Sequence, residues 1–212
     1  MKTLSGIEKN NQANGVYQWL ADRDDLLSNI LSQYGEPELI LRPEGFRTLV
    51  FIVIEQQISL QAARKIFERL ESRLKKVNPE TVFNTSAEIM KTIGLNRQKI
   101  NTLHELSRRV ISREIDLNQL QFMDDEDVRK VLVSIKGIGN WTADIYLLEA
   151  LNRPDILPST DLALARCIQE IWGLEKRPDR EIIVKMALRW RPWRSYAVRL
   201  IWTAYLNGQH PV

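Results

Sequence analysis

Residues 132–161 read LVSIKGIGNWTADIYLLEALNRPDILPSTD, and this stretch decides the fold. Just before and within it, Val128, Val131, Leu132 and Ile135 recur at the i, i+3, i+4, i+7 spacing of one helical face, and the acids Asp124 to Asp127 stand at the start. The pattern predicts a helix with a well-marked N-terminus. Lys136-Gly137-Ile138-Gly139-Asn140 follows, and two glycines around one apolar residue reach backbone angles that a side chain forbids, so the chain turns sharply there. From Trp141 to Leu151 the apolar positions Ala143, Tyr146, Leu147, Ala150 and Leu151 are again helical. A loop through Leu157-Pro158-Ser159-Thr160 then reaches Asp161, which opens a third helical pattern at Leu164, Ile168 and Ile171.

A helix, a Gly-x-Gly hairpin and a helix present backbone N–H groups at the N-terminus of the second helix, where the dipole favours an anion such as a DNA phosphate. A lone Gly-x-Gly is more simply a glycine-closed turn between two helices. Asp161, 20 residues beyond Trp141, changes that balance: a single carboxylate at a helix start is an N-cap by default and also a candidate acid for chemistry.

Outward from this core, Val16 to Leu31 predict one or two short helices interrupted by acids at Asp22, Asp24 and Asp25, after a polar start over residues 1–14 that is expected to fray. Phe46 to Gln57 is strongly apolar without strand alternation and predicts a buried helix. Ser59 is a good N-cap for the next one, Leu60 to Leu74, which leaves Gln57-Ile58 at a tight corner. Asn78-Pro79 reads as a break, Ser86 to Ile93 as a short helix closed by Gly94, and Ile100, Leu103, Leu106 and Val110 as the face of a further helix. Arg97 and Lys99 at that turn are candidate phosphate contacts. His104 stands without partners for a triad or a metal. Past Trp172, Gly173 reads as a C-cap and Pro192 as the first residue of the last helix, Trp193 to Leu206. The fold class is all-α.

Composition bounds the function. With 44% hydrophobic and 27% charged residues in 212, the chain is an ordinary globular protein. It holds no apolar run of bilayer-spanning length and no signal-peptide core, which implies an intracellular protein, in cytoplasm and nucleoid or in a nucleus. The single Cys167 excludes an internal disulfide and a four-cysteine cluster, and it reads as packing. Net charge is only +3, but residues 1–45 hold four bases against seven acids, so the rest carries +6. Eight bases between Lys176 and Arg199, interleaved with Trp190 and Trp193, suit phosphates and bases or equally a solvated helical face.

The blocks Glu55-Gln56-Gln57-Ile58-Ser59, Ile93-Gly94-Leu95 with Lys99, Leu-x-x-Ile-Lys-Gly-Ile-Gly-x-Trp-Thr-Ala ending at Ala143, Leu-Pro-x-x-Asp-Leu around Asp161, and Trp190-Arg191-Pro192-Trp193-Arg194-Ser195-Tyr196-Ala197 occur in the order of one family. Together they resemble the helix-hairpin-helix DNA glycosylases, in the 3-methyladenine DNA glycosylase II (AlkA) branch, over roughly residues 40–205. The resemblance implies two helical subdomains flanking a DNA-binding cleft: residues 46–153 carrying the hairpin, and 1–45 plus 154–212 carrying the catalytic acid, without the N-terminal β domain of longer members.

It further implies a monofunctional N-glycosylase acting in base excision repair on alkylated bases such as 3-methyladenine and 7-methylguanine, which it flips out of double-stranded DNA as a monomer. Asp161 would stabilise the cationic sugar. Trp141 and Trp202 fall where the family has pocket tryptophans, Ile145 stands where better-known members place a pocket tyrosine, and Tyr146 is one step away. Ile58 is the candidate wedge into the base stack, with Gln57 beside it. Gly94, Arg97, Lys99, Lys136, Gly137, Ile138, Gly139, Thr142 and Arg194 are the expected DNA contacts. No cofactor is required and no side chains form a metal site; a monovalent cation on the carbonyls of Gly137 and Gly139 is the one ion the hairpin allows. Relatives that cut the backbone place a Schiff-base lysine where this chain has Trp141. The alternatives are a non-catalytic hairpin DNA-binding protein, a glycosylase for deaminated or other neutral purines, and a helical interaction protein whose hairpin is only a turn.

Overall fold

The computed structural model describes residues 15–37 and 41–207; the frayed start expected over residues 1–14 lies outside them. Among the described residues every regular element is helical. Residues 41–152 form one compact unit, and the described parts of 1–40 and 153–212 form the other.

The first unit holds α3 (Phe46–Glu55), α4 (Leu60–Leu74), α5 (Pro79–Phe83), α6 (Ala87–Ile93), α7 (Arg97–Ile111), a 3-10 turn (Leu117–Phe122), α8 (Asp125–Val133) and α9 (Asn140–Glu149). Leu49, Val50, Ile52, Val53 and Ile54 of α3 are all buried, so this helix is apolar nearly all round and runs through the core. Phe67 and Leu70 of α4, Leu103 and Leu106 of α7, Val128 and Leu132 of α8, and Tyr146 and Leu147 of α9 are buried in the same unit. Each such side chain contributes about 1.5–3 kcal/mol.

Local sequence explains where these helices start. Ser59 Oγ accepts the Ala62 N–H at 3.2 Å, Ser86 Oγ that of Ile89 at 3.4 Å, and Asn96 Oδ1 that of Lys99 at 2.9 Å. Asn78-Pro79 does not simply break the chain. The asparagine makes a reciprocal capping box with Thr81, and the proline sits in the first turn, where its missing N–H costs nothing, so the short α5 begins there. Arg42 clamps two C-terminal ends: its guanidinium holds Glu55 of α3 at 2.6 Å and Glu149 of α9 at 2.8 Å.

The second unit holds α1 (Val16–Ala21), α2 (Asp25–Tyr34), α10 (Leu162–Ile171), α11 (Arg180–Met186), a 3-10 turn (Ala187–Trp190) and α12 (Arg194–Asn207). Asp24 organises it. One carboxylate oxygen caps α2 through the N–H groups of Leu26 and Leu27, and the other accepts the indole N–H of Trp190 at 2.9 Å. Trp190 is wholly buried and offers no surface to a base, whereas the sequence alone leaves this basic, aromatic stretch open between phosphate and base contact and a solvated face. Pro192 and Trp193 precede the last helix rather than open it, because the Trp193 N–H still closes the preceding turn on the Trp190 carbonyl.

Candidate active site

The hairpin lies between α8 and α9. The Ile138 N–H returns to the Ile135 carbonyl at 3.0 Å, and Gly137, at the third position of that turn, has φ +95°. A Cβ on Gly137 would stand 1.8 Å from Thr102 Oγ1 and 2.9 Å from Thr102 Cβ, so the hairpin backbone lies directly against α7 and only glycine fits. Gly139 has an ordinary φ of −105° and open space where a side chain would be. It is the N-cap residue of α9.

The start of α9 is electrostatically bare. No side chain caps it and no acid lies in its first turn, whereas α8 begins with Asp125, Glu126 and Asp127. The N-terminal N–H groups of α9 and the exposed Lys136 thus form a positive end suited to an anion. Arg129 of α8 holds Asp144 of α9 at 2.7 Å and fixes the two helices to each other. Ile138 is buried, so this residue of the hairpin packs inward and offers only backbone outward.

At the end of α3 the chain makes a second turn. Gln56 has φ −49°, ψ 122° and Gln57 φ +61°, and the Ile58 N–H bonds the Glu55 carbonyl at 3.2 Å, the pattern of a type II turn with a glutamine where glycine is usual. Gln57, Ile58, Ser59 and Leu60 are exposed, Ile58 at 37%. Gln57 occupies the strained apex, and Ile58 follows it.

Two polar side chains hold this turn. Lys99 does not meet the expectation of a phosphate contact: it is only 6% exposed, and its ammonium donates to the Ile54 carbonyl at 2.7 Å, one of the orphan carbonyls at the end of α3. Burial pushes its pKa down. Gln56, not singled out from sequence, donates from Nε2 to the Gly137 carbonyl at 3.1 Å and to Thr142 Oγ1 at 2.9 Å. Thr142 is 1% exposed, so this expected DNA contact works inside the unit. Arg97 is exposed at the start of α7, and Gly94, also exposed, is the left-handed C-cap of α6 at φ +111°.

Trp141 is half-buried in the first turn of α9. Ile145 is buried, and so is Tyr146, whose hydroxyl accepts the Gly45 N–H at 2.9 Å and whose pKa burial pushes up to about 12. Tyr146 thereby closes the start of α3, a packing role in place of the expected pocket wall. The Gly137 and Gly139 carbonyls, considered for a cation, accept from Gln56 and from the Ala143 N–H. Among the described residues no group of three or more His, Cys, Asp or Glu is placed to hold a metal ion.

In the second unit, Asp161 caps α10. Its Oδ1 accepts the Leu164 N–H, its own N–H donates to the Pro158 carbonyl at 2.9 Å, and it is 8% exposed. The loop leading to it is anchored from α12. Ser195 Oγ accepts the Ile156 N–H at 2.9 Å and donates to the Arg153 carbonyl at 2.6 Å. Arg194 grips Asp155 in a bidentate pair at 2.6 and 3.0 Å. Its charge is thus matched by Asp155, and Arg194 is a loop anchor rather than the expected DNA contact. Cys167, buried in α10, has its thiol pushed up to about 12 by burial and then by the Asp161 charge. Trp202 of α12 is half-buried, in contrast to Trp190.

A family model described as "HhH-GPD superfamily base excision DNA repair protein" matches residues 50–193. The Bacillus subtilis protein YfjP is 27% identical over 184 residues, 83% of this chain and 64% of that one, so the chain spans just under two thirds of its length. DNA-3-methyladenine glycosylase 1 of Schizosaccharomyces pombe is 28% identical over 180 residues, covering 83% of this chain and 79% of the relative. The solved structure of the Schizosaccharomyces pombe 3-methyladenine DNA glycosylase Mag1 in complex with abasic DNA superposes with a TM-score of 0.84 at 25% identity, over 93% of this chain and 99% of the other. With two thirds of its length under the family model and its fold shared with a DNA-bound relative, this chain belongs to the HhH-GPD superfamily of base excision DNA repair proteins.

Proposed function

We propose that the protein is a monofunctional DNA N-glycosylase that removes alkylated purines from duplex DNA, with Asp161 as its catalytic carboxylate. The observation that carries this reading is Asp161 itself: a nearly buried acid held at a helix N-terminus by the Leu164 N–H, on a loop anchored by Ser195 and Arg194. Breaking an N-glycosidic bond builds positive charge on the sugar, and a fixed carboxylate beside C1′ lowers that barrier. A purine alkylated at N3 or N7 already carries positive charge and departs as a neutral base, so no second acid has to protonate it. Electron-rich rings favour such a cation, and Trp141 and Trp202 keep part of their surface exposed for it.

The two units divide the work. The hairpin with the bare start of α9 grips a phosphate, and the Gln57–Ile58 turn enters the base stack, Gln57 at the apex and Ile58 behind it. The relatives named as 3-methyladenine glycosylases, one of them solved on abasic DNA, support the same substrate class. The residue after the hairpin's Asn140 is Trp141, not lysine, so the product is an abasic site without strand cleavage.

The test is chromatographic: methylated duplex DNA is incubated with wild type and Asp161→Asn, and free bases are resolved. Wild type should release 3-methyladenine or 7-methylguanine, and the variant should bind DNA yet release about 100-fold less, the scale of losing one electrostatic transition-state contact. Binding without release by either protein would leave a DNA-binding module and overturn the enzymatic reading.

A further inference from the structure

We infer that Gln56 is a positioning residue that couples the stack-entering turn to the phosphate-gripping hairpin, so that the two act on DNA as one rigid jaw. The inference rests on the DNA-binding roles proposed for these two elements. All of its geometry lies inside residues 41–152.

Opening a base stack is uphill, and that work must be done by the turn against the duplex. A turn that yields relative to the hairpin holding the backbone would relax instead of inserting. The turn is poorly suited to rigidity on its own. Gln57 sits at φ +61°, a conformation that persists in a non-glycine residue only where its surroundings over-determine it. Its tip residues, Gln57 to Leu60, are solvent-exposed.

The constraint comes from the residues just before the apex. The buried Lys99 ammonium fixes the Ile54 carbonyl at 2.7 Å and so fixes the exit of α3. Immediately before the apex, Gln56 forks to the Gly137 carbonyl and to Thr142 Oγ1, one bond to each side of the hairpin's second glycine. Gly137 is in turn pressed against Thr102 of the same helix that carries Lys99. The turn, the hairpin and α7 therefore close a loop of contacts, and Gln56 is a direct hydrogen-bonded link between turn and hairpin. The sequence carries a faint sign of this. In the sequence, Leu49, Val53 and Gln56 follow an i, i+4, i+7 spacing, so a polar residue stands just past the end of a buried stripe.

The experiment compares wild type, Gln56→Leu, Thr142→Val and the double variant by three readouts: affinity for undamaged duplex, affinity for duplex bearing a tetrahydrofuran abasic analogue, and single-turnover release of methylated bases. Melting temperature is recorded alongside. Gln56→Leu should leave undamaged-duplex affinity within about twofold, because the phosphate grip remains, while abasic-analogue affinity and release fall about tenfold, the loss of two modest hydrogen bonds. Thr142→Val, which spares the bond to Gly137, should lose about threefold, and the double variant should be no worse than Gln56→Leu, since both changes cut one link.

Equal loss of both affinities with a lowered melting temperature would reduce Gln56 to a structural residue and overturn the inference. So would unchanged abasic affinity and release. If wild type itself frees no base, the enzymatic reading fails, and the ratio of abasic to undamaged affinity still decides the role of Gln56.

Discussion

The two hairpin glycines should fail in different ways when replaced by alanine. At Gly137 the new Cβ meets Thr102 Oγ1 at 1.8 Å and Thr102 Cβ at 2.9 Å, and the backbone is at φ +95°. The hydroxyl can rotate away, at the expense of its bond to the Gln98 carbonyl, but the Thr102 Cβ is fixed on α7. Ordinary carbon contacts need about 3.5–4.0 Å, so the hairpin and the helix must part by roughly half an ångström or more. Overpacking of this kind costs about 1–3 kcal/mol, and an L-residue in the left-handed region adds about 1–2. Gly137→Ala should therefore lose about 2–5 kcal/mol, read as a lower urea midpoint at constant slope, with a melting temperature lower by about 10 °C.

Gly139→Ala meets nothing within 4 Å and keeps an allowed φ, so its stability should stay within about 0.5 kcal/mol of wild type. Its methyl group nonetheless stands at the N-cap of α9, where a phosphate would approach, and DNA affinity should fall at least about tenfold. Adding Thr102→Ala to Gly137→Ala should recover only part of the loss, since the Cβ contact and the backbone angle both remain. A Gly137→Ala protein as stable as wild type would refute the close approach of hairpin and helix, and unimpaired DNA binding by Gly139→Ala would refute the phosphate grip at α9.

Asp24→Ala removes a helix cap and strands the buried Trp190 indole N–H, so chemical denaturation should show a loss of about 2–4 kcal/mol; a loss below about 1 would contradict the double role. Gln57→Gly relieves a left-handed glutamine and should stabilise the fold by up to about 1 kcal/mol while weakening binding to an abasic-analogue duplex; a loss of stability would show that the apex is not strained. Arg97→Ala should reduce the salt dependence of DNA binding by about one unit of log–log slope, whereas Lys99→Met should not change it, because the Lys99 ammonium is inside the protein. The folded-state pKa of Lys99 lies below its ordinary value of 10.5, so the unfolded chain binds that proton more tightly and stability rises with pH between the two values; Lys99→Met should abolish that rise in urea midpoints.

Hydrophobic period and cap chemistry make the helices legible. Ser59, Ser86, Asn96 and Asp161 stand before apolar stripes in the sequence, and each caps the helix that follows. Asp161 is visible because the residue that caps α10 is also the acid proposed for the chemistry. The polar residues that hold the site together are harder to read, because their partners are remote in sequence. Arg194 pairs with Asp155 39 residues away, and Trp190 with Asp24 at 166. No local pattern announces such a pair, and a basic residue near a loop then looks like a phosphate contact.

Lys99 marks the boundary between these cases. It shares the i, i+4, i+7 spacing of Leu103 and Leu106, and that spacing alone puts it on the buried face of α7. A charge on a buried stripe is costly unless it meets an acceptor, and the open carbonyls at the end of α3 supply one. The same reasoning applies to Gln56 just past the end of α3 and to Thr102 and Thr142 on the helices beside the hairpin, whose side chains are spent on contacts within the unit. Around the turn and the hairpin, the features that face outward are Lys136, Arg97, the uncapped start of α9 and the strained Gln57 apex. Polar groups that the fold consumes explain how the backbone is held, and those it leaves exposed or strained are where the proposed DNA contacts fall.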